Sequence, residues 1–246
     1  MHKIIALVLF FSIASACNLN GNTDKYTIEG TVKNHPAKSV VLEKLGLKQL
    51  TMVDSAAIDD QGHFKMSGVS EKGFYRLKLD NKTSFLILLE PVQYQVEIDL
   101  SNQENNFKAS GSKGNDEFQK AFKEMNAVQQ ELNGWNQAYQ AYGQMKVSMD
   151  TMMFIQQQLQ TAGAKFESYI RDSSQVAKDP LVAMFLVTNG PVDKFPKENL
   201  AIIHRLEKEL PNSSYTKDYR EVYNNYEKQM KEQGRCFGCG QGSSGY

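Results

Sequence analysis

Between residues 26 and 110 apolar and polar side chains alternate with a period of two, as strands with one buried face do. Tyr26, Ile28 and Gly30 interleave with Thr27, Glu29 and Thr31. Further runs follow at Val40-Val41-Leu42, residues 53–58, Phe64-Lys65-Met66, residues 74–79, 84–89 and 94–100. Asp59-Asp60-Gln61-Gly62 reads as a hairpin turn between two of these runs, because Asp and Gly accept the conformations that tight turns need. Seven or eight short strands at about ten-residue spacing predict an antiparallel β-sandwich or open barrel.

At Gly111-Ser112-Lys113-Gly114 the period changes. Phe118, Phe122, Met125, Val128, Leu132, Trp135, Tyr139 and Tyr142 recur every three or four residues, which predicts one long amphipathic helix. Met152, Ile155, Leu159, Ala162, Phe166 and Tyr169 repeat the rhythm after a break at Gly143. The two helices are expected to fold back as an antiparallel hairpin, each stripe covering the other, with Trp135 in its core. Pro180 opens a short, nearly all-apolar helix that Asn189-Gly190-Pro191 stops, and its lack of a polar face implies burial. Two more helices are expected over about residues 197–210 and 214–233. The expected fold class is α+β, a β-rich domain over 26–110 followed by a helical domain over 111–233.

The first sixteen residues, MHKIIALVLFFSIASA, have the build of a secretory signal: basic Lys3, an apolar run over residues 4–13, and small Ala14-Ser15-Ala16 ahead of Cys17. The run is too short to cross a hydrocarbon core, which needs about 20 helical residues. A small-residue triplet followed by cysteine resembles the bacterial lipobox, which implies lipidation of Cys17 and cleavage before it. Residues 17–25 then form a short polar tether. The expected location is the cell envelope, on a membrane surface facing the periplasm.

Charge changes the picture by exclusion. Lys+Arg and Asp+Glu number 28 each, and the balance holds on both sides of residue 110, so no basic face for nucleic acid is expected. Apolar residues at 41% suffice for a core. With Cys17 lipidated, the other two cysteines are Cys236 and Cys239, so the body must hold its fold by packing alone.

Candidate chemistry is sparse. His35 precedes a proline, His63 sits at a predicted hairpin tip and His204 lies on a predicted helix, so no pair has metal-ligand spacing, and no cofactor is implied. No nucleophile elbow occurs, and Gly111-Ser112-Lys113-Gly114 lacks the ending of a phosphate loop. Asp59-Asp60 is read as turn chemistry. The aromatic and Met stripes are read as core, with an apolar ligand groove between hairpin and sheet as the alternative. Cys236-Phe237-Gly238-Cys239 has C-x-x-C spacing, but the helix that would lower a thiol pKa should follow such a pair, and here residues 234–246 read as a flexible Gly/Ser-rich tail.

Residues 26 to about 115, with Y-T-I-E-G-T-V, V-D-S-A-A-I-D-D-Q-G-H-F, G-F-Y-R-L and G-S-K-G-N-D-E-F, resemble a domain of unknown function from Bacteroidota. The resemblance implies an N-terminal part of lipid-anchored envelope proteins whose C-terminal part is a thioredoxin-like, peroxiredoxin-like thiol–disulfide oxidoreductase. The W-C-x-x-C segment of that part has no counterpart in this sequence, so no family catalytic residue carries over. The expected function is a non-catalytic binding or scaffolding lipoprotein whose partners are a membrane and an envelope protein or apolar ligand. The alternatives are a thiol–disulfide oxidoreductase, or an accessory to one, using Cys236 and Cys239, and a truncated relic of such an enzyme.

Overall fold

The computed structural model describes residues 25–101, 106–145 and 147–232 of the 246-residue chain. Eight strands come first: β1 (Lys25–Lys33), β2 (Ser39–Leu45), β3 (Leu50–Ala57), β4 (His63–Val69), β5 (Gly73–Lys78), β6 (Ser84–Leu89), β7 (Gln93–Asp99) and β8 (Phe107–Ser110). Five α-helices follow: α1 (Lys113–Gly143), α2 (Met149–Val176), α3 (Pro180–Thr188), α4 (Pro196–Glu209) and α5 (Ser214–Glu232). The α+β order and the change of period at Gly111 stand as the sequence predicts.

The strands form two four-stranded sheets, ordered β4-β1-β7-β8 and β3-β2-β5-β6. Alternation puts Tyr26, Ile28, Phe64, Met66, Tyr94, Val96 and Ile98 on the inner face of the first sheet. Val40, Leu42, Tyr75, Leu77, Ile87 and Leu89 meet them from the second in one apolar cluster. The sandwich is not purely antiparallel, because β1 pairs parallel with β7, from Thr27 opposite Gln93 to Lys33 opposite Asp99. The whole second sheet, with β4 of the first, lies between β1 and β7 in the chain, which enters β7 at the end of the sandwich where β1 begins. Asp59 does close a tight turn, its Oδ1 accepting from the backbone N–H of Gln61 and His63 at 2.9 and 2.8 Å. It joins no hairpin, however: β3 pairs with β2 and β4 with β1, so the turn is a corner between sheets. Gly62 holds φ at +84°, and an added Cβ would lie 2.4 Å from the Val32 carbonyl oxygen.

The helices cover the outer face of the second sheet. Phe74 and Leu88 point away from the sandwich into a cluster with Phe118, Met125, Phe166, Ile170, Leu181, Val182, Ile203, Leu206 and Tyr215. β5 is thus buried on both faces, and the molecule has three layers: sheet, sheet, helices. Asp179 caps α3 by accepting from Leu181 N–H at 2.9 Å, with Pro180 in the first turn, and α3 is buried nearly all round as its composition requires.

Ser112 caps α1, accepting from Asn115 N–H at 3.0 Å. Asn115 is itself buried and ties α1 to the sandwich: its Oδ1 accepts from Leu88 N–H at 3.1 Å and its Nδ2 donates to the Ala109 carbonyl at 3.1 Å. One turn later Gln119 donates to the Leu86 carbonyl at 2.7 Å. α1 therefore runs antiparallel to β6, starting at the end of the sandwich where β1 begins and leaving at the other. α2 returns beside it, its Tyr169 hydroxyl donating to the Ala121 carbonyl at 3.1 Å.

Candidate docking site at the end of the helical hairpin

The polar side chains that the fold brings together are committed to joining its parts. Glu71, between β4 and β5, receives Lys44 Nζ from β2 and caps α5. Its Oε1 accepts from Ser213 Oγ at 2.5 Å and Ser214 N–H at 2.6 Å, and its Oε2 from Ser214 Oγ at 2.9 Å. Burial pushes the Glu71 carboxyl up, but Lys44 and the two serines outweigh it and leave the group below the ordinary carboxylate range. Lys72 bridges Glu90 at 2.8 Å and the α3 cap Asp179 at 2.5 Å. Burial alone would lower its pKa, and these two carboxylates reverse the sign and raise it. Glu117 accepts from the backbone N–H of Lys178 and Asp179 at 2.8 and 3.1 Å. Among the described residues every buried side-chain nitrogen or oxygen has a hydrogen-bond partner.

Tyr215 makes the closest joint. Its hydroxyl accepts from Phe74 N–H at 2.9 Å and faces the Leu45 carbonyl at 2.7 Å and the Phe74 carbonyl at 3.1 Å as acceptors. The β2–β5 ladder ends at Lys44 opposite Tyr75, so the hydroxyl stands where the next rung would be. Burial raises its pKa. An added Cβ on Gly73 would meet the Tyr215 ring at 2.3 Å, which explains a glycine at the start of β5.

The histidines do not converge. His35 Nδ1 accepts from Ala37 N–H at 3.1 Å, which leaves Nε2 to donate to Asp80 at 3.1 Å. His63 lies at the sheet corner 3.6 Å from Asp59, and His204 is exposed on α4. Among the described residues no three His, Cys, Asp or Glu side chains are grouped to hold a metal ion. No described helix is long and apolar enough to cross a membrane. Cys17, Cys236 and Cys239 lie outside the described residues.

Cavities at the sheet–helix junction are modest. An apolar one of about 220 Å³ is lined by Leu45, Leu47, Phe74, Phe118, Phe185 and Tyr215, below the 300–1,000 Å³ usual for small-molecule sites. A larger cleft of about 720 Å³ runs between α1 and the β6–β8 edge, but Gln119, Lys123, Asn126 and Gln130 make its wall polar.

The feature that the core does not account for is the far end of the hairpin. Near the sandwich the two stripes cover each other, with Phe118, Met125, Phe166 and Ile170 buried. Further out Trp135 is only half-buried, meeting Phe154 edge-on at 6.1 Å, so the expected core position of Trp135 does not hold. Tyr139, Tyr142, Met145, Met149, Met153 and Phe154 are between 40% and 74% exposed. Side chains of about 200 Å² each, roughly half uncovered, leave on the order of 600 Å² of apolar surface at this end of the hairpin. Residues 132–164 contain two charged side chains, Lys146 and Asp150, in a chain that is 23% charged. Depletion of charge with enrichment of Tyr, Trp, Phe and Met is the composition of an interface core. Met149, Met153 and Phe154 were no part of the predicted stripes. The signal that could have found them is crowding, since four of the ten methionines fall at 145, 149, 152 and 153.

Position adds to composition. The 31 residues of α1 extend about 45 Å at ~1.5 Å per residue. They start at the end of the sandwich where Lys25 enters β1, so the exposed apolar side chains lie at the opposite end from Lys25.

Residues 26–118 match the family model described as "Domain of unknown function (DUF4369)". The match takes in the sandwich and the first turns of α1 as far as Phe118, whose ring packs 5.2 Å from Phe74. No curated protein and no solved structure matches the chain.

Proposed function

We propose that this chain is a non-catalytic lipoprotein of the cell envelope that works as a scaffold. Lipid on Cys17 holds the sandwich at a membrane, and the helical hairpin carries its apolar end away from that membrane to dock another protein. The observation that carries the reading is the exposed, nearly uncharged patch of Tyr139, Tyr142, Met149, Met153 and Phe154, opposite the Lys25 end. The Ala14-Ser15-Ala16-Cys17 junction supports the anchor, since two or more acyl chains bind a bilayer stably. The resemblance of residues 26 to about 115 to domains that precede thioredoxin-like enzymes in Bacteroidota envelope lipoproteins supports a role beside thiol–disulfide chemistry, as accessory and not as enzyme.

The test is a photo-reactive residue at position 149 of the full chain in cells. The reading predicts a protein adduct from the membrane fraction, none from the same probe at exposed His204, and release from the membrane in Cys17→Ser. Absence of a protein adduct at 149, or membrane attachment unchanged in Cys17→Ser, overturns it. A second reading, thiol exchange at Cys236 and Cys239, rests on their C-x-x-C spacing. Catalytic insulin reduction that disappears in Cys236→Ser would establish it.

A further inference from the structure

We infer that the protein docked by the hairpin end is a second copy of this chain, the two hairpins packing side by side into a four-helix contact. The inference rests on the reading of the hairpin as the docking element and names its partner.

Three observations point to self-association. The first is shape: α1 and α2 cover each other near the sandwich, and beyond it Tyr139 and Tyr142 at the end of α1 with Met149 and Met153 at the start of α2 stay exposed. A second hairpin laid against such an end completes a four-helix bundle, which buries all four inner faces. The second is charge. A surface meeting its own copy about a twofold axis places the same patch on both sides, and a patch of net charge would repel itself. Residues 132–164 carry one charge of each sign and so impose no net repulsion. The third is area: two hairpin ends that each expose on the order of 600 Å² of apolar surface bury at most roughly 1,200 Å² in total, the lower bound of specific interfaces. Copies anchored in one membrane through the Lys25 end raise their hairpins to the same height, where a twofold axis along the membrane normal relates them. Confinement to one surface raises the effective concentration that an interface of this size needs.

The experiment uses two differently tagged full chains co-expressed in the envelope. Met149→Cys in both should give, on oxidation of native membranes, a reducible species of twice the chain mass, above the background set by Cys236 and Cys239 and absent for His204→Cys. Co-purification of the two tags should fall at least tenfold when both carry Met149→Lys, and return when one carries Met149→Lys and the other Met149→Glu. No double-mass species, together with co-purification indifferent to these charges, overturns the inference. If the probe at position 149 then captures a protein of another mass, docking stands and self-association fails. If it captures lipid alone or nothing, both fail.

Discussion

Tyr215→Phe removes a single oxygen atom from the joint between sheet and helices, and the structure sets the cost. The hydroxyl serves the Phe74 N–H at 2.9 Å and the Leu45 carbonyl at 2.7 Å. The phenyl ring that remains keeps its edge-on contact with Phe74, at 5.7 Å between centroids, so packing is conserved and the change isolates the hydrogen bonds. The strands cannot close the gap themselves, because the ring lies directly over Gly73. The Phe74 N–H is buried and bears the full cost of an unmet donor, whereas the Leu45 carbonyl is nearer solvent and bears less. At about 1–3 kcal/mol for an unsatisfied buried group, the pair should cost about 2–3 kcal/mol. A domain of this size loses about 2–4 °C per kcal/mol, so the melting temperature should fall by roughly 5–10 °C. The assay is thermal unfolding followed by far-ultraviolet circular dichroism, with Tyr139→Phe, at an exposed ring, as a control that shifts by less than about 1 °C. A shift below about 2 °C for Tyr215→Phe would show that the hydroxyl does not hold the layers together. So would helices in the unaltered chain that melt separately from the sheets, since Phe74 and Leu88 belong to the helical core.

Two further outcomes are expected. Trp135→Ala should cost about 1–2 kcal/mol, below the 3–5 kcal/mol of a fully buried ring, since the ring is half-buried and meets the exposed Phe154; a larger loss in chemical denaturation would place Trp135 in a core. Glu71 is held below its unfolded value, so its contribution is complete above about pH 4.5 and fades as pH falls through the depressed folded value. Denaturation between pH 5 and 2 should therefore show less loss of stability in Glu71→Gln than in the unaltered chain, and parallel curves would refute the sign. In alkylation rates against pH, a thiolate at Cys236 forming below about 7 would favour the redox reading.

The sequence declares its elements because period two and period 3.6 are local properties. Residues 94–100 alternate whether β7 pairs parallel or antiparallel, so its parallel pairing with β1 could not be read, nor could the assignment of β3 and β4 to different sheets. Asp59 and Gly62 announce a tight turn through their own hydrogen bonding and φ, yet what the turn connects depends on strands far away in the chain. The stripe from Phe118 to Tyr142 shows which side chains share a face and nothing of where the cover ends. Trp135 consequently reads as core although α2 covers it only in part. Glu71 and Lys72 belong to no pattern at all, because a cap supplied from another layer leaves no spacing to detect, and the spacing of Tyr215 with Tyr219 shows a buried face of α5 but nothing of what its hydroxyl joins.

The central claim is that the hairpin end is covered in the envelope. Hydroxyl-radical footprinting of the full chain in native membranes, compared with the chain extracted and diluted in detergent, measures that cover residue by residue. The account predicts slow oxidation of Met149 and Met153 in the membrane and at least a fivefold rise after extraction, with Met52, exposed on the sandwich, equally reactive in both. Rapid oxidation of Met149 and Met153 in the native membrane, at the rate of Met52, would contradict it.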